Sequence, residues 1–205
     1  MIGIIDYGVG NIASIGRAFD RLAISARLVS SPSEIKSMGK LILPGVGHAT
    51  AGMSRLRENG LISVLEERAQ SGIPFLGICL GMQLLTKESA EGDTTCLGLI
   101  DGRAVRFVPR GEHGELERRV PHMGWNSISP LREHPLLAGI TEDDEFYFAH
   151  SYFVQPRSTD DVLATTPYQG EFPSVIAKDN IMGVQFHPEK SHSAGERILK
   201  NFAEL

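Results

Sequence analysis

The chain is predicted to fold as an α/β protein with an open, mostly parallel sheet flanked by helices and an antiparallel extension. Three observations predict this fold. Short apolar runs alternate with amphipathic segments through the first half, short strand-like runs with turns between them follow Gly98, and an amphipathic segment closes the chain. Strands separated by helices pair in parallel through right-handed crossovers.

The first half supplies the alternating strands and helices. The apolar run Ile2–Asp6 ends before Gly8 and Gly10, and Asn11 is placed to cap a helix over Ile12–Leu22. Further strands are predicted at Ala26–Val29, Leu41–Leu43 and Phe75–Ile78, and an amphipathic helix at Leu61–Ala69.

The second half predicts a different arrangement, because strand candidates follow one another without helices between them. We expect them to form an antiparallel extension of the same sheet. The candidates are Ala104–Val108, Glu145–Phe148, Ser151–Val154, Val162–Thr165, Ser174–Lys178 and Ile181–Phe186. The charged segment Arg110–Arg119 is predicted to be an exposed loop, and Ser193–Leu205 a helix with Ile198, Leu199 and Phe202 facing inward.

Composition limits the class of protein. A length of 205 residues predicts one domain over residues 1–205, and a net charge of -5 argues against a general nucleic-acid binder. Two cysteines, Cys79 and Cys96, are too few for a disulfide framework, which predicts a reducing, cytoplasmic setting. We find neither a signal peptide nor a membrane-spanning segment in the sequence.

The segment Gly77-Ile78-Cys79-Leu80-Gly81 is the first candidate for chemistry. Small residues two before and two after a nucleophile allow a strand to turn sharply into a helix and expose the nucleophile at the bend. The dipole of the following helix would favour the thiolate of Cys79. Most free cysteines are buried and inert, and Cys96, without such a context, is interpreted as one of these.

The segment His187-Pro188-Glu189 follows the last apolar run and is the candidate base and its orienting acid. In extended chain, residues two apart point the same way, so both side chains could reach one site. Ligand sites lie beyond the carboxyl ends of parallel strands, and both Cys79 and His187 fall at such ends. Together they predict acyl transfer through a cysteine thioester.

Two further segments belong to the same hypothesis. Gln83 lies one helical turn after Cys79 and could bind the polar end of a substrate, although an ordinary helix residue fits equally well. The Pro44-Gly45-Val46-Gly47 segment ends the third strand, where its N–H groups could bind an oxyanion. Without Cys79, a plain turn would be the preferred interpretation of this segment.

A competing motif is Gly8-Val9-Gly10-Asn11-Ile12-Ala13, which fits the dinucleotide fingerprint between a strand and a helix. That fingerprint also requires an acid about 20 residues on, and Ser30 and Ser31 stand there instead. A nucleotide-binding module is therefore the less favoured alternative.

Gly-Ile-Cys-Leu-Gly-Met-Gln at 77–83 with Phe-His-Pro-Glu at 186–189 resembles the class I triad glutamine amidotransferases, whose fold is flavodoxin-like. Three segments narrow the resemblance to the glutaminase subunits of imidazole glycerol phosphate synthases: 6–11 (Asp-Tyr-Gly-Val-Gly-Asn), 121–126 (Pro-His-Met-Gly-Trp-Asn) and 147–152 (Tyr-Phe-Ala-His-Ser-Tyr). The 44–47 segment and Lys190-Ser191 also match, and the resemblance covers nearly the whole chain.

The resemblance implies a role for each matched position. Cys79 attacks the glutamine carboxamide, His187 moves the protons and Glu189 orients His187. The backbone N–H groups of Val46 and Leu80 bind the oxyanion. The implied substrate-binding residues are Gly45, Gly47, Gln83, Ser151 and Tyr152.

The resemblance also implies a heterodimer in which ammonia passes to a separate (β/α)8-barrel synthase/cyclase subunit of histidine biosynthesis. The expected interface residues are Met123, Trp125, Tyr147 and Lys190. No metal or organic cofactor is expected. The alternative within the class is the glutaminase subunit of another amidotransferase, such as anthranilate synthase, and the alternative outside it is a non-catalytic subunit.

Overall fold

The computed structural model describes residues 1–108 and 120–205, so the predicted loop at Arg110–Arg119 lies outside the described residues. The strands are β1 (Ile2–Ile5), β2 (Ala26–Val29), β3 (Lys40–Leu43), β4 (Phe75–Ile78), β5 (Thr86–Ser89), β6 (Thr94–Thr95), β7 (Ile100–Arg106), β8 (His122–Ser127), β9 (Ser129–Pro130), β10 (Glu145–His150), β11 (Tyr152–Pro156), β12 (Val162–Pro167), β13 (Glu171–Lys178) and β14 (Ile181–Val184). The helices are α1 (Ile12–Arg21), α2 (Pro32–Lys36), α3 (Ala49–Glu58), α4 (Ile62–Gln70), α5 (Leu80–Leu84) and α6 (His192–Glu204), with 3-10 turns at Pro135–Leu137, Thr159–Asp161 and Pro188–Lys190.

An eight-stranded sheet carries the candidate site, in the order β2-β1-β3-β4-β14-β13-β12-β9. The first five strands run parallel to one another, and the last three continue the sheet in antiparallel pairing. Ile78 pairs with Val184, and Gly77 pairs with Leu43. Strands β3, β4 and β14 therefore end side by side at the centre of the sheet. The predicted mostly parallel α/β sheet with an antiparallel extension is confirmed.

Two smaller sheets were not foreseen. The predicted strands at Val162–Thr165 and Ser174–Lys178 do extend the central sheet, but β8 pairs with β10, and β11, β7, β5 and β6 form a separate four-stranded sheet. The expectation that all the late strands extend one sheet is therefore wrong for Ala104–Val108, Glu145–Phe148 and Ser151–Val154. A strand's local pattern specifies which face is apolar but not which edge it joins.

Helices cover both faces of the central sheet. On β3, Ile42 packs into the cluster that contains Phe19 of α1 and Ile198 of α6, while Leu41 and Leu43 pack into the cluster on the other face, which includes Leu56 of α3 and Leu65 of α4. A strand apolar on both faces is typical of a parallel sheet covered on both sides. Ile198, Leu199 and Phe202 of α6 are fully buried, as predicted.

Several local predictions needed correction. Asn11 occupies the N-cap position of α1, but its side chain makes no capping hydrogen bond. Helices α2 and α3 were not predicted from the sequence. The capping box of α2 joins Ser31 to Glu34, so the serine found where a dinucleotide site needs an acid is the cap of a short helix. Within the described ranges, no helix has the length and apolar character needed to cross a membrane.

Candidate active site

Cys79 lies at the bend between β4 and α5 with φ 54° and ψ -110°. A non-glycine residue rarely adopts this backbone conformation, which costs on the order of 1–3 kcal/mol. The Cys79 N–H donates to the carbonyl of Val184 at 2.8 Å, which ties the bend to the neighbouring strand β14. The predicted sharp turn is therefore present, and the cysteine itself carries the strain.

The two glycines of the motif permit this bend because backbone passes close to each of them. A Cβ on Gly77 would lie 2.7 Å from the carbonyl carbon of Gly81, and a Cβ on Gly81 would lie 1.8 Å from the Leu43 oxygen. Any side chain larger than hydrogen at either position would push α5 away from the ends of β3 and β4.

His187 and Glu189 meet through a turn, not through extended chain. Glu189 belongs to the 3-10 turn Pro188–Lys190, and its Oε1 accepts a hydrogen bond from His187 Nδ1 at 2.9 Å. The Glu189 side chain is only 1% exposed, and within the described part of the chain its Oε2 has no hydrogen-bond partner. Among the described residues, the carboxylate therefore bonds to His187 alone, and it reaches the ring through a turn where extended chain was expected.

The electrostatics of His187 favour a charged pair. Burial by itself lowers the pKa of His187, but hydrogen bonds with Cys79 and Glu189 and the charges of both raise it to about 10. At neutral pH an imidazolium beside the sulfur stabilises a thiolate. Because α5 has only five residues, the expected contribution of its dipole at the elbow is small.

A cavity of about 360 Å³ opens over these groups. It is lined by Cys79 and His187 and by four of the five expected substrate-binding residues: Gly47, Gln83, Ser151 and Tyr152. The fifth, Gly45, is buried beneath the elbow, where an added Cβ would lie 2.8 Å from the Tyr7 hydroxyl and 2.9 Å from Leu80 Cβ. Its position is that of a packing residue under α5.

Glu91 also lines the cavity, and the sequence analysis did not identify it. Its Oε2 accepts from the N–H of Ala49 at 2.7 Å, and its Oε1 lies 4.0 Å from His48 Nε2. A carboxylate here can bind a cationic group of a substrate. No sequence motif indicates a role for Glu91, because it lies in a turn between two strands of a separate sheet.

The two expected oxyanion donors both line the cavity beside Cys79. Leu80 follows the cysteine directly, and Val46 lies in the exposed segment after β3. Among the described non-glycine residues, positive φ occurs at six positions, and Val46 is not one of them, whereas Gly47 has φ 91°. The 44–47 segment therefore turns at its glycine and leaves Val46 in an ordinary conformation.

Two of the four expected interface residues, Met123 and Lys190, line the cavity, and the rings of Trp125 and Tyr147 lie beside them. Trp125 on β8 is 44% exposed, which excludes a core role, and its ring lies 5.9 Å from that of Tyr147 on β10. Lys190 Nζ lies 5.4 Å from the Tyr147 ring, and Lys190 and the exposed Met123 also line the cavity. His192, not identified from sequence, stacks on Trp125 at 4.9 Å.

This exposed cluster is tied directly to the candidate base. His187 N–H donates to the Tyr147 carbonyl at 2.9 Å, and Tyr147 N–H donates to Ser191 Oγ at 3.0 Å. Ser191 Oγ in turn donates to the His187 carbonyl at 2.6 Å. A displacement of Tyr147 would therefore reach the backbone of His187. Among the described residues, no group of three or more His, Cys, Asp or Glu side chains is arranged to hold a metal ion.

An α/β fold with a cysteine on a strained elbow, beside an imidazole that a buried carboxylate orients, defines a class of protein: the enzymes that transfer acyl groups through a thioester. A family model described as glutamine amidotransferase class-I matches residues 3–205. The chain is 48% identical over 206 residues to "Imidazole glycerol phosphate synthase subunit HisH 2" of Pseudomonas aeruginosa, covering all of both chains. It is 44% identical to a protein of the same name from Methanococcus maripaludis, covering 98% of each.

The chain therefore belongs to the class I glutamine amidotransferases and, within them, to the family of the imidazole glycerol phosphate synthase subunits HisH. Solved structures support the fold. A glutamine amidotransferase structure superposes with a TM-score of 0.76 at 20% identity, covering 99% of this chain and 97% of that one. The structure of PurLQS from Thermotoga maritima superposes with a TM-score of 0.74 at 14% identity, covering the same shares.

Proposed function

We propose that this chain is the glutaminase subunit of an imidazole glycerol phosphate synthase, and that residues 1–205 form its single amidotransferase domain. The observation that carries the proposal is the meeting of Cys79, His187 and Glu189 at the ends of the adjacent strands β4 and β14, beneath one cavity. The full-length relatives favour this subunit over that of anthranilate synthase, and the capping role of Ser31 disfavours a nucleotide site.

The chemistry follows from the charged pair. The Cys79 thiolate attacks the carboxamide carbon of glutamine, and the oxyanion that forms is bound by the N–H groups of Val46 and Leu80. His187, protonated at the start, gives its proton to the departing nitrogen, so ammonia leaves and a thioester remains. His187 then accepts a proton from water, which attacks the thioester and releases glutamate.

Binding of glutamine rests on the polar groups that line the cavity. Gln83, Ser151 and Tyr152 line the cavity together with Val46 and Gly47, and the Glu91 carboxylate suits the α-ammonium group of the amino acid. The ammonia is consumed by a (β/α)8-barrel synthase/cyclase subunit that docks over Met123, Trp125, Tyr147 and Lys190. Two free thiols suit a reducing cytoplasm.

Replacing Cys79 by serine tests the proposal. The variant is expected to lose glutamine-dependent synthase activity in complex with the barrel subunit and to retain activity with ammonium salts, because only the glutaminase half is disabled. The measurements are glutamate release and product formation from each nitrogen source. Glutamate release at the wild-type rate would refute the nucleophile assignment, and absence of any glutamine-dependent activity in the wild-type complex would refute the function itself.

A further inference from the structure

Gln185 is a fully buried polar residue for which the mechanism above has no role. It follows β14, two residues before His187, and none of its surface is exposed. Its Nε2 donates to Cys79 Sγ at 3.7 Å, and its Oε1 accepts from Gln83 Nε2 at 3.2 Å. Gln185 thus joins the candidate nucleophile to a candidate substrate-binding residue.

A backbone carbonyl determines which group donates and which accepts in each of these hydrogen bonds. Gln83 Nε2 also donates to the Tyr152 oxygen at 2.9 Å, and a carbonyl oxygen can only accept. The amide nitrogen of Gln83 must therefore point toward Tyr152 and Gln185. Since Gln83 donates, Gln185 must present its oxygen to Gln83 and its nitrogen to Cys79.

The Tyr152 carbonyl is itself held by a second donor. His150 Nδ1 donates to it at 2.8 Å, and His150 Nε2 lies 3.0 Å from His122 Nδ1. Burial, partly opposed by that hydrogen bond to Tyr152, lowers the pKa of His150 to about 3, so it remains neutral with Nδ1 as the donor. The orientation of the network thus originates in buried groups away from the sulfur.

Two chemical consequences follow from this orientation. An N–H group aimed at sulfur is a weak partner for a thiol and a stronger, charge-assisted partner for a thiolate. Both N–H bonds of the Gln83 amide are used inside the protein, so its carbonyl oxygen remains for the cavity that Gln83 lines. A carbonyl oxygen there accepts from a donor on the substrate.

We propose that Gln185 is a further residue of the glutaminase reaction, which stabilises the Cys79 thiolate through its N–H group and holds Gln83 with its carbonyl oxygen toward the substrate. The role in turnover rests on the proposed function, whereas the effect on the sulfur does not. Gln185 acts on the reacting atom directly and on glutamine only through Gln83.

The test is the pH dependence of Cys79 alkylation by iodoacetamide in the full-length chain, which needs neither glutamine nor a partner. Gln185→Glu keeps the size and the acceptor for Gln83 but turns an oxygen toward the sulfur. The pH at which its alkylation rate is half-maximal is expected to lie about one unit or more above that of the wild type. Gln185→Met removes both hydrogen bonds and should shift the profile in the same direction by less.

Other titratable groups near the sulfur or around the cavity are left unchanged in both variants. These are His187 with Glu189 behind it, Tyr7 beneath the elbow, and Glu91, His150, Tyr152 and Lys190 around the cavity. Burial raises the pKa of the second thiol, Cys96, to about 11, so it does not compete at neutral pH. A displaced profile is therefore attributable to residue 185.

Gln155→Glu on the exposed side of β11 is the matched control, because it introduces the same charge away from the cavity. Its alkylation profile should superpose on that of the wild type. The melting temperature of each variant identifies any variant that fails to fold. If Gln185→Glu is such a variant, Gln185→Met provides the test. In complex with the barrel subunit, Gln185→Met is expected to lower kcat about tenfold or more and to raise the KM for glutamine.

Alkylation profiles of both folded Gln185 variants that coincide with the wild type would overturn the proposal, whether or not glutamate is released. A wild-type complex that releases no glutamate would instead overturn the proposed function and leave the thiolate result standing. A displaced profile together with a changed KM supports both halves of the inference.

Discussion

Replacing Gly81 by alanine adds one methyl group where α5 rests on the end of β3. The new Cβ would lie 1.8 Å from the Leu43 oxygen, whereas real Cβ atoms stay beyond 3.0 Å from such neighbours, so the two elements must separate by about 1.2 Å. The atoms that the new Cβ would meet belong to the backbone of Leu43 and Pro44, so no side-chain rotation can relieve the clash. The shift moves Cys79 on one side and the 44–47 segment on the other.

The expected cost has two parts. A misplacement of about 1 Å at a reacting group lowers the rate on the order of 100-fold, so glutamate release should fall by at least that factor. Overpacking of this kind destabilises by about 1–3 kcal/mol, and each kcal/mol lowers the melting temperature by roughly 2–4 °C in a chain of this size.

The assays are glutamate release at saturating partner and thermal unfolding of the chain alone. Gly16→Ala is the matched control, because no described residue has an atom within 4 Å of an added Cβ there and the position is inside α1. That change should leave turnover intact and raise stability by about 1 kcal/mol. Gly81→Ala with wild-type turnover and melting temperature would refute the close-approach argument.

Three further predictions concern neighbouring features. Gly195→Ala places a Cβ 2.0 Å from the Pro188 oxygen, so it should displace the turn that carries Glu189 and lower kcat about tenfold or more. An unchanged kcat would show that helix α6 moves and that the turn keeps its position. Val46 does not have a positive φ, and we expect the arrangement that binds the oxyanion to need one, which a β-branched residue resists. Val46→Gly should therefore raise glutamate release by the isolated chain severalfold, and equal basal rates would contradict this. Burial lowers the pKa of His150 to about 3, so this residue contributes stability that is present above its unfolded pKa of about 6.5 and is lost as the pH falls toward 3. The urea midpoint of the wild type should therefore fall more steeply between pH 6.5 and 4 than that of His150→Asn. Equal slopes would count against the buried neutral imidazole.

Local patterns predicted the elements well where the signal lies within a few residues. The run Ala26–Val29 and the run Phe75–Ile78 are strands with the predicted bounds. The bend at Cys79 could be predicted because its glycines are adjacent in sequence, and backbone sterics there depend on near neighbours. The capping box of Ser31 and Glu34 is also a local pattern, and it could have predicted α2.

Contacts between distant segments could not be predicted in the same way. Glu189 was expected to reach His187 along extended chain, and it reaches the ring because Pro188–Lys190 forms a turn. Glu91 and Gln185 gave no sequence signal, since each acts through residues far along the chain. Likewise, the pairing of β8 with β10, which brings Trp125 beside Tyr147, depends on which strand edges remain unpaired.

The sequence by itself determined the α/β class, the elbow at Cys79 and the glutaminase family resemblance, because periodicity, turn sterics and motif spacing are local properties. Only the tertiary structure decided that His187 is held charged, that Gly45 packs beneath the elbow, and that Gln185 must direct an N–H group at the sulfur. The physical reason is burial: a pKa or the orientation of an amide is determined by all the groups that surround it, and most of those come from other parts of the chain.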